Sequence, residues 1–504
     1  MKLNRNTKVT NLRNHKDAIS NVEGGLSFKL PIKERLVNRT LTCLFNENKF
    51  YGKQDVEIIA DIEECSKSDP SFILKLAIFA RNVMYLRTVP QVILVECANS
   101  KYFKNLGLVR PATNKIIMRA DEIMEVLAYQ LQTYKKPIPI ALKRGLRDTF
   151  GKFDSYQLSK YDRDGEVKLV DALNLIRPIP RTEEQKILYK KIVENKLESP
   201  ETWEVILGNW KSKDFENKTK AWEYIIEKIW CVNGQVKNYF ALIRNLRNIL
   251  EADVSSKHFN LVCEAIKNEQ AVKNSKMYPF RFYSAYREIE VNNKSKAHKI
   301  LEAVETALSL SIGNLPKLNG MTMYSSDNSG SMDSALSDKS RMTFKEIANL
   351  MQAIGIVMSD DYICSVFGES FATVNITKKQ SVFDRMNKLR DTNVGYSTNG
   401  YFVLDYLNKS KTKVDRIIIF TDEQMYDDSG YDNSFIENFK KYKKVNPNVF
   451  LYVVNLNGYG NSIVPKDESN VALISGWSEK ILDYIVLFEK GKQTLVKEID
   501  EIRI

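Results

Sequence analysis

An aspartate and two nearby serines form the part of this sequence best suited to hold a metal ion. Ser329 and Ser331 stand two and four positions after Asp327, which places three oxygens on one side of a tight loop, and Gly330 lets the backbone turn closely. Hard divalent cations prefer oxygen ligands of this kind. The same spacing also occurs in polar turns, so the pattern alone leaves both interpretations open.

Two later segments offer further oxygen ligands. Thr398, with Ser397 as an adjacent alternative, lies at the opening of a predicted helix. Asp422 follows a buried strand predicted over 416–420. Ligands of open parallel sheets bind beyond the carboxyl ends of the strands, so we expect these loops to converge. The predicted site consists of Asp327, Ser329, Ser331, Thr398 and Asp422. Mg²⁺ is the expected ion, because it accepts few protein ligands and keeps waters; the alternative is an empty or structural site.

A second group of residues could contact phosphates. The group around one predicted helix consists of Lys135, Lys136, Lys143, Arg144 and Arg147, with Lys152 and Lys160 following. Such cations contact phosphate without reading bases. Interleaved aromatic residues such as Phe150, Phe153, Tyr156 and Tyr161 could stack on unpaired bases. Alternatively, the aromatic residues form a helical core and the cations its hydrated face.

Arg244 and Arg247 lie three positions apart on an otherwise apolar helix and therefore share a face. Arg281 stands in a similar setting. These arginines either contact nucleic acid or pair with carboxylates of neighbouring helices.

Composition makes several other kinds of site improbable. The six cysteines form no CxxC pair and the three histidines are far apart, which argues against a zinc site, a disulfide framework and a histidine-based triad. Scattered thiols are typical of a reducing cytoplasm, where we expect the protein. No run of 18 apolar residues exists, so the sequence predicts no membrane contact.

The net charge of +12 is unevenly distributed. Residues 1–320 hold 53 Lys and Arg against 38 Asp and Glu, whereas residues 321–504 hold 22 against 25. A basic first part suggests a polyanionic partner, most simply nucleic acid. The alternative is a lysine-rich composition with solvated helix faces.

The elements that would position these residues change character near residue 319. Amphipathic helices are predicted from about residue 28 to 312, which indicates an α-solenoid of HEAT-like repeats. Strands then alternate with helices, as in a mostly parallel, doubly wound sheet. The predicted domains are a polar arm over 1–20, a helical domain over 21–318 and an α/β domain over 319–504.

The ordered metal-site residues resemble the metal-ion-dependent adhesion site of von Willebrand factor A domains. Short phrases in the helical part are similar to the TROVE module of the Ro autoantigen family, which includes bacterial members. These phrases include Asn21-Val22-Glu23-Gly24-Gly25, Leu76-Ala77-Ile78-Phe79-Ala80-Arg81, Ala241-Leu242-Ile243-Arg244-Asn245-Leu246-Arg247 and Pro279-Phe280-Arg281-Phe282. The resemblance extends from about residue 20 to the end of the chain, and it identifies a bacterial-type member.

The resemblance implies a monomeric ring of HEAT-like helices completed by the A domain. In this family the hole accepts single-stranded 3′ ends of misfolded or unprocessed RNAs, and structured Y RNAs bind the outer surface. Bacterial members work in RNA processing and decay beside an exoribonuclease. We therefore expect a Y-like RNA, RNA 3′ ends and an exoribonuclease as partners, and no intrinsic catalysis.

The family pattern also selects individual residues. Lys160 and Tyr161 match a Lys-Tyr pair on its RNA-binding surface. An arginine expected four residues later appears one position early as Arg163, and Leu175 replaces a histidine near Arg177. Arg177 still offers a phosphate donor, but any contact through an imidazole is lost. The mode of Y-like RNA binding known in relatives is therefore expected to be either altered or absent in this chain.

Two other functions compete with RNA binding. An A domain could serve adhesion or scaffolding, with the solenoid binding proteins. A metal-dependent nuclease would need clustered carboxylates, often around two ions, whereas Asp327 and Asp422 are only one pair. The charge distribution favours the RNA-binding function.

Overall fold

The computed structural model describes residues 18–20, 26–42, 53–162, 165–198, 200–213, 215–277, 279–291, 296–313, 315–335, 342–425, 435–457, 461–464, 470–475, 485–486, 488–489 and 495–504. Helices dominate as far as residue 312, and strands alternate with helices after it. This order confirms the predicted fold class of a helical region followed by an α/β domain. Closure into a ring stays a prediction.

The described helices are numbered in chain order. They are α1 Ile32–Thr42, α2 Lys53–Ser68, α3 Pro70–Asn82, α4 Thr88–Asn99, α5 Val109–Ile116, α6 Ala120–Tyr134, α7 Ile140–Phe150, α8 Ser155–Lys160, α9 Leu169–Ile176, α10 Glu183–Val193, α11 Trp203–Gly208, α12 Lys218–Tyr224, α13 Tyr239–Arg244, α14 Leu246–Glu251, α15 Ser256–Lys267, α16 Glu269–Ser275, α17 Pro279–Glu290, α18 Ala297–Ile312, α19 Phe344–Met358, α20 Val382–Arg390, α21 Tyr401–Ser410, α22 Phe435–Val445 and α23 Leu495–Asp500. Short 3₁₀ turns occur at Lys101–Phe103, Lys211–Lys213 and Gly330–Asp333, and a π-helical turn at Ile225–Trp230.

The described strands form three sheets. They are β1 Ala18–Ser20, β2 Leu26–Lys29, β3 Cys231–Val232, β4 Gln235–Val236, β5 Leu318–Asp327, β6 Ser359–Phe367, β7 Phe371–Thr373, β8 Arg416–Thr421, β9 Phe450–Asn455, β10 Asn461–Ser462 and β11 Val471–Ser475. The large sheet has the order β11-β9-β8-β5-β6-β7, and each of its pairs is parallel except β6 with β7. Strand β5 is therefore central, with β8 on one side and β6 on the other.

The chain divides into two compact units. One consists of Pro31–Gly208 and Thr494–Ile504, and the other of Met1–Leu30 and Asn209–Gln493. This division follows packing and differs from the predicted domains 1–20, 21–318 and 319–504. Those domain boundaries remain predictions.

The first unit is a stack of helices around one apolar core. Helix α3 begins where the Asp69 carboxylate accepts a hydrogen bond from Phe72 N at 3.2 Å, and all eight apolar residues from Phe72 to Ala80 are buried. The chain returns to this core at its last helix, α23, where Ile499 is buried. Lys33 Nζ lies 3.0 Å from Asp500 Oδ2, and this ion pair fixes α23 against α1.

The sheet of the second unit is covered on both faces. Alternate residues of β5 point to opposite sides, so Met323 joins an apolar cluster with Leu404 and Phe439, from α21 and α22. On the other face Ser326 Oγ lies within hydrogen-bonding distance of two oxygens of α19, Gln352 Oε1 at 2.5 Å and Ala348 O at 3.2 Å. Helices on both faces confirm the doubly wound arrangement.

Several details differ from the sequence prediction. The apolar spacing over 237–250 predicts one continuous helix, but the structure divides it at Asn245 into α13 and α14. The backbone N–H of Asn245 donates a hydrogen bond to Ala241 O at 3.1 Å. Helices α5, α8, α9 and α16 and the short strands β1 to β4 and β10 were not predicted, because short elements carry little periodicity. In the part of the chain that the structure describes, no helix is long and apolar enough to span a bilayer.

Candidate metal centre and nucleic-acid interface

Asp327 ends β5 at the carboxyl edge of the sheet and is completely buried. Its Oδ1 accepts a hydrogen bond from Ser329 N at 3.0 Å, and its Oδ2 accepts one from Thr421 Oγ1 at 2.7 Å. Thr421 is the last residue of β8, so the carboxylate joins the ends of two adjacent strands. The sequence prediction missed Thr421, although its place directly before Asp422 at a strand end is a usable signal.

The two serines lie close together in the loop that follows β5. Ser329 is fully buried and Ser331 half-buried, and their Oγ atoms are 3.2 Å apart. The two hydroxyls therefore lie together in the loop whose Ser329 N–H donates a hydrogen bond to the Asp327 carboxylate. This short separation confirms that the serines share one side of the loop, as the spacing predicts.

Asp422 follows β8 and is also fully buried. Its Oδ1 accepts a hydrogen bond from Gln424 N at 3.1 Å. Burial, together with the negative charge of Asp422, raises the pKa of Asp327 from its ordinary value of 3.8 to about 7. Two carboxylates are thus held close together in a desolvated place, which favours a bound cation.

The loop of Thr398 reaches the Asp327 loop through its backbone. Gly330 N donates a hydrogen bond to Tyr396 O at 2.9 Å, and Thr398 itself is only 4% exposed, whereas Ser397 is half-buried. A Cβ on Gly400 would stand 2.2 Å from Met425 Sδ, so the start of α21 packs against the segment after Asp422. The topology therefore brings the three predicted loops together.

Glycine is required at different positions from the one the sequence suggests. A Cβ on Gly330 would meet Tyr396 at an ordinary 3.5 Å, so the tight turn does not depend on this glycine. Gly395 has φ +78°, and a Cβ there would lie 2.5 Å from the Cβ of Glu369. A Cβ on Gly368 would meet Val394 O at 2.8 Å. These two glycines allow the Thr398 loop to approach the sheet edge.

The donor set fits a hard cation that keeps water. Among the described residues no group of three or more His, Cys, Asp or Glu could hold a metal ion, so hydroxyls must complete any site here. Two carboxylates with serine and threonine oxygens suit Mg²⁺ better than a soft transition metal. The ion and its individual ligands stay predictions.

The predicted phosphate-contacting residues of the first unit lie on α6 to α9 and the loops that join them. Lys135 and Lys136 are exposed at the end of α6, and Lys135 adopts a left-handed conformation with φ 48°. Arg144 is exposed and Lys143 half-buried on α7. Arg163 lies outside the described residues.

Some of these cations are already engaged by backbone carbonyls. Arg147 Nε donates a hydrogen bond to Ile176 O at 3.0 Å, which brings α7 to the exposed, left-handed Arg177 at the end of α9. Lys152 Nζ donates to Asn114 O, and burial lowers the pKa of this lysine. Both residues therefore help to hold neighbouring helices together, in addition to any contact with a ligand.

The Lys-Tyr pair forms a stack with a third residue that sequence reasoning missed. Lys160 Nζ is 5.7 Å from the centre of the Tyr161 ring, and Arg119 Cζ is 4.9 Å from the same ring. Arg119 precedes α6 and is 42 positions away, so only the fold reveals the contact. Phe150 and Phe153 are buried in the core, while Tyr156 is 54% exposed.

The two arginines of the second unit differ in their surroundings. Arg244 is exposed at the end of α13. Arg247 Nη1 lies 3.2 Å from Glu288 Oε2, and its Nε lies 3.6 Å from Glu251 Oε1. The structure thus favours the carboxylate-pairing alternative for Arg247.

Family models decide the affiliation of the chain. The TROVE domain matches residues 11–195 and 193–311, and the Ro60 vWA domain matches residues 322–489. The chain belongs to the Ro family. Both matches lie where the Ro pattern of a TROVE module followed by an A domain places them.

Individual relatives of this Ro protein are distant. The telomerase protein component 1 of Rattus norvegicus is 22% identical over 322 residues, covering 45% of this chain and 12% of the relative. That of Mus musculus is 24% identical over 363 residues, covering 53% and 13%. The Ro chain thus spans about an eighth of the length of these relatives.

A solved structure shares the fold. The crystal structure of the Deinococcus radiodurans RO (RSR) protein matches with a TM-score of 0.63 and 16% identity, covering 92% of this chain and all of the other. At this identity the match shows the fold alone.

Proposed function

We propose that this Ro protein binds RNA without cleaving it, and that its ligands are small structured, Y-like RNAs and single-stranded 3′ ends of misfolded or unprocessed RNAs. Membership of the TROVE family supports RNA binding in general. The observation that carries the proposal is the junction of α7 with α9, where exposed Arg144 and Arg177 flank the bond from Arg147 to Ile176 O. Guanidinium groups so placed suit phosphate oxygens.

The same surface includes a place for an unpaired base. Tyr161 is partly buried against the core, and two cations lie within 6 Å of its ring, namely Arg119 and Lys160. A base that displaced one cation from the ring face would gain stacking and keep a positive charge beside its phosphate. This geometry supports RNA, because an acidic protein surface would use the charges but not the ring.

Within this proposal the metal centre binds Mg²⁺ and takes no part in cleavage. Asp327 and Asp422 would supply negative charge, and Ser329, Ser331 and Thr398 would supply neutral oxygens. The ion would neutralise the buried carboxylate pair and hold the three loops together. We also propose that the protein acts as a cytoplasmic monomer in RNA quality control, with an exoribonuclease as a partner.

A gel-shift titration tests the RNA proposal. The ligand is a structured RNA with a single-stranded 3′ tail, compared with the same RNA without the tail, at two salt concentrations. We expect tail-dependent binding that weakens with salt, because released counterions drive the association. Tail-independent binding would assign the ligand to the structured, Y-like class. Absence of binding to both RNAs would contradict the proposal.

One observation favours a second function, in which the A domain captures a protein partner. Tyr396 is 79% exposed, and its backbone oxygen bonds Gly330 of the metal loop. An exposed aromatic side chain beside a metal with an open coordination position suits a partner that offers a carboxylate. A pull-down that depends on Mg²⁺ and is lost on Tyr396→Ala, with RNA affinity unchanged, would support this scaffold function.

A further inference from the structure

Helix α13 presents one large aromatic side chain to solvent. Its other bulky apolar residues, Tyr239, Leu242 and Ile243, are buried, whereas Phe240 is 50% exposed. The Phe240 ring therefore has a face that a ligand could cover, and covering it would be favourable.

An exposed arginine of α17 approaches this ring. The Cζ atom of Arg281 lies 5.9 Å from the centre of the Phe240 ring and 4.9 Å from that of Phe280. The guanidinium is thus within cation–π range of two rings from two helices. A planar guanidinium beside an aromatic face offers a flat surface that is both polarizable and positively charged.

The two sequence segments that form this surface contain no acidic residues. No Asp or Glu occurs from residue 228 to 250 or from residue 270 to 287, the segments that contain Phe240 and Arg281. Arg244 stands one helical turn after Phe240 on the same face, and it is exposed. The nearest acidic residues of these helices, Glu251 and Glu288, are paired with Arg247.

We propose that Phe240 and Arg281 form a stacking platform for an unpaired base, and that Arg244 contacts the adjacent phosphate. The inference rests on the proposed RNA binding and adds a site in the second compact unit. Stacking on a ring and a guanidinium accepts any base, because every base has a π-face. An apolar peptide would use Phe240 but not the guanidinium groups, and an acidic peptide would use the guanidinium groups but not the ring. Single-stranded RNA is therefore the ligand that uses every part of the surface.

The test uses the full chain and a ten-nucleotide oligouridylate with one central 2-aminopurine. Stacking quenches 2-aminopurine fluorescence, so the titration reports both affinity and contact with a ring. Phe240→Leu keeps the apolar volume but removes the aromatic face, and Arg281→Lys keeps the charge but removes the plane. We expect each variant to bind about tenfold more weakly, in the range found for loss of one stacked base, and to lose most of the quenching.

Two controls separate stacking from other effects. Tyr85→Leu alters an exposed ring, 57% accessible, in the other unit and should leave affinity and quenching unchanged. An oligonucleotide in which abasic sites replace the bases should bind the native protein and Phe240→Leu equally. Melting curves of all variants should coincide, because Phe240 and Arg281 are exposed.

The possible outcomes are distinct. If the native protein binds the oligonucleotide and Phe240→Leu changes neither affinity nor quenching, the platform is refuted while RNA binding stands. If affinity falls equally for the abasic ligand, the effect is not stacking and the platform is also refuted. If the native protein binds neither this oligonucleotide nor a structured RNA, the proposed function fails and the platform fails with it.

Discussion

Replacing Asp327 by asparagine removes one charge from the interior of the sheet edge and keeps the shape of the side chain. The pKa of Asp327 is raised from 3.8 to about 7, by burial and by the charge of Asp422. Since each pKa unit corresponds to about 1.36 kcal/mol, ionised Asp327 destabilises the metal-free fold by about 4 kcal/mol at pH 8. Asparagine relieves this penalty, and the raised pKa already includes the hydrogen bonds that Ser329 and Thr421 donate to the carboxylate.

The expected result is a metal-free variant that is more stable than the native protein at pH 8, by about 4 kcal/mol, or about 4 °C in the unfolding midpoint of a chain of 504 residues. Magnesium at a hundred times its Kd should stabilise the native protein by about 2.7 kcal/mol and leave Asp327→Asn unchanged. The assay is thermal unfolding followed by tryptophan fluorescence, with and without MgCl₂. Asp333→Asn is the matched control, because Asp333 is half-exposed on the next turn and pairs with Lys345 at 2.7 Å.

The dependence on pH gives an independent test of the same charge. A carboxyl whose pKa is higher in the folded state binds its proton more tightly there, so stability rises as the pH falls. The metal-free native protein should therefore gain stability from pH 8 through pH 7 towards pH 5, relative to Asp327→Asn. The reasoning is refuted if magnesium stabilises both proteins equally, or if the variant is the less stable one at pH 8 without metal.

Three further predictions concern neighbouring parts of the second unit. Gly395→Ala should destabilise the protein by about 2 kcal/mol in a denaturant titration and weaken magnesium binding, because it combines φ +78° with a Cβ 2.5 Å from Glu369; an unchanged midpoint would show that the loop adjusts freely. Glu346→Gln should lower the free energy of unfolding by about 2 kcal/mol, because Glu346 is 4% exposed and accepts a hydrogen bond from Tyr283 Oη at 3.1 Å. Tyr283→Phe should lower it less. A larger loss for Tyr283→Phe would contradict the role given to Glu346. Radiolabelled RNA incubated with the protein and Mg²⁺ should stay intact, and cleavage that disappears in Asp422→Ala would overturn the non-catalytic proposal.

The meeting of the Asp327 and Asp422 loops at one sheet edge was predictable, because each loop has a local sequence signal and the fold rule that joins them is general. The apolar sequence 416–420 predicts a buried strand, and the structure has β8 there, ending at Thr421 directly before Asp422. The rule that ligands bind beyond the carboxyl ends of parallel strands then places Asp327 and Asp422 together. Only two properties of the residues, strand hydrophobicity and oxygen-bearing side chains, are needed for this inference.

Other features depend on contacts that sequence patterns do not encode. Arg119 stacks on Tyr161 across 42 positions, and Lys33 pairs with Asp500 across 467. A Cβ at Gly395 would clash with Glu369, which precedes α20 in the sequence whereas Gly395 follows it. Each requires knowledge of which elements pack together, and periodicity along one element carries no such information.

The arrangement of charge at the sheet edge also bears on what the metal centre can do. Asp327 accepts hydrogen bonds from a backbone N–H and a hydroxyl, and among the described residues no lysine or arginine forms an ion pair with it. The positive charge that a buried carboxylate pair needs must therefore come from a bound cation or a proton. A nuclease that uses two metal ions needs enough carboxylates to hold both at about 4 Å from each other. Within the proposed function, two carboxylates completed by neutral hydroxyls balance one ion, which suits a centre that holds loops or a partner's carboxylate.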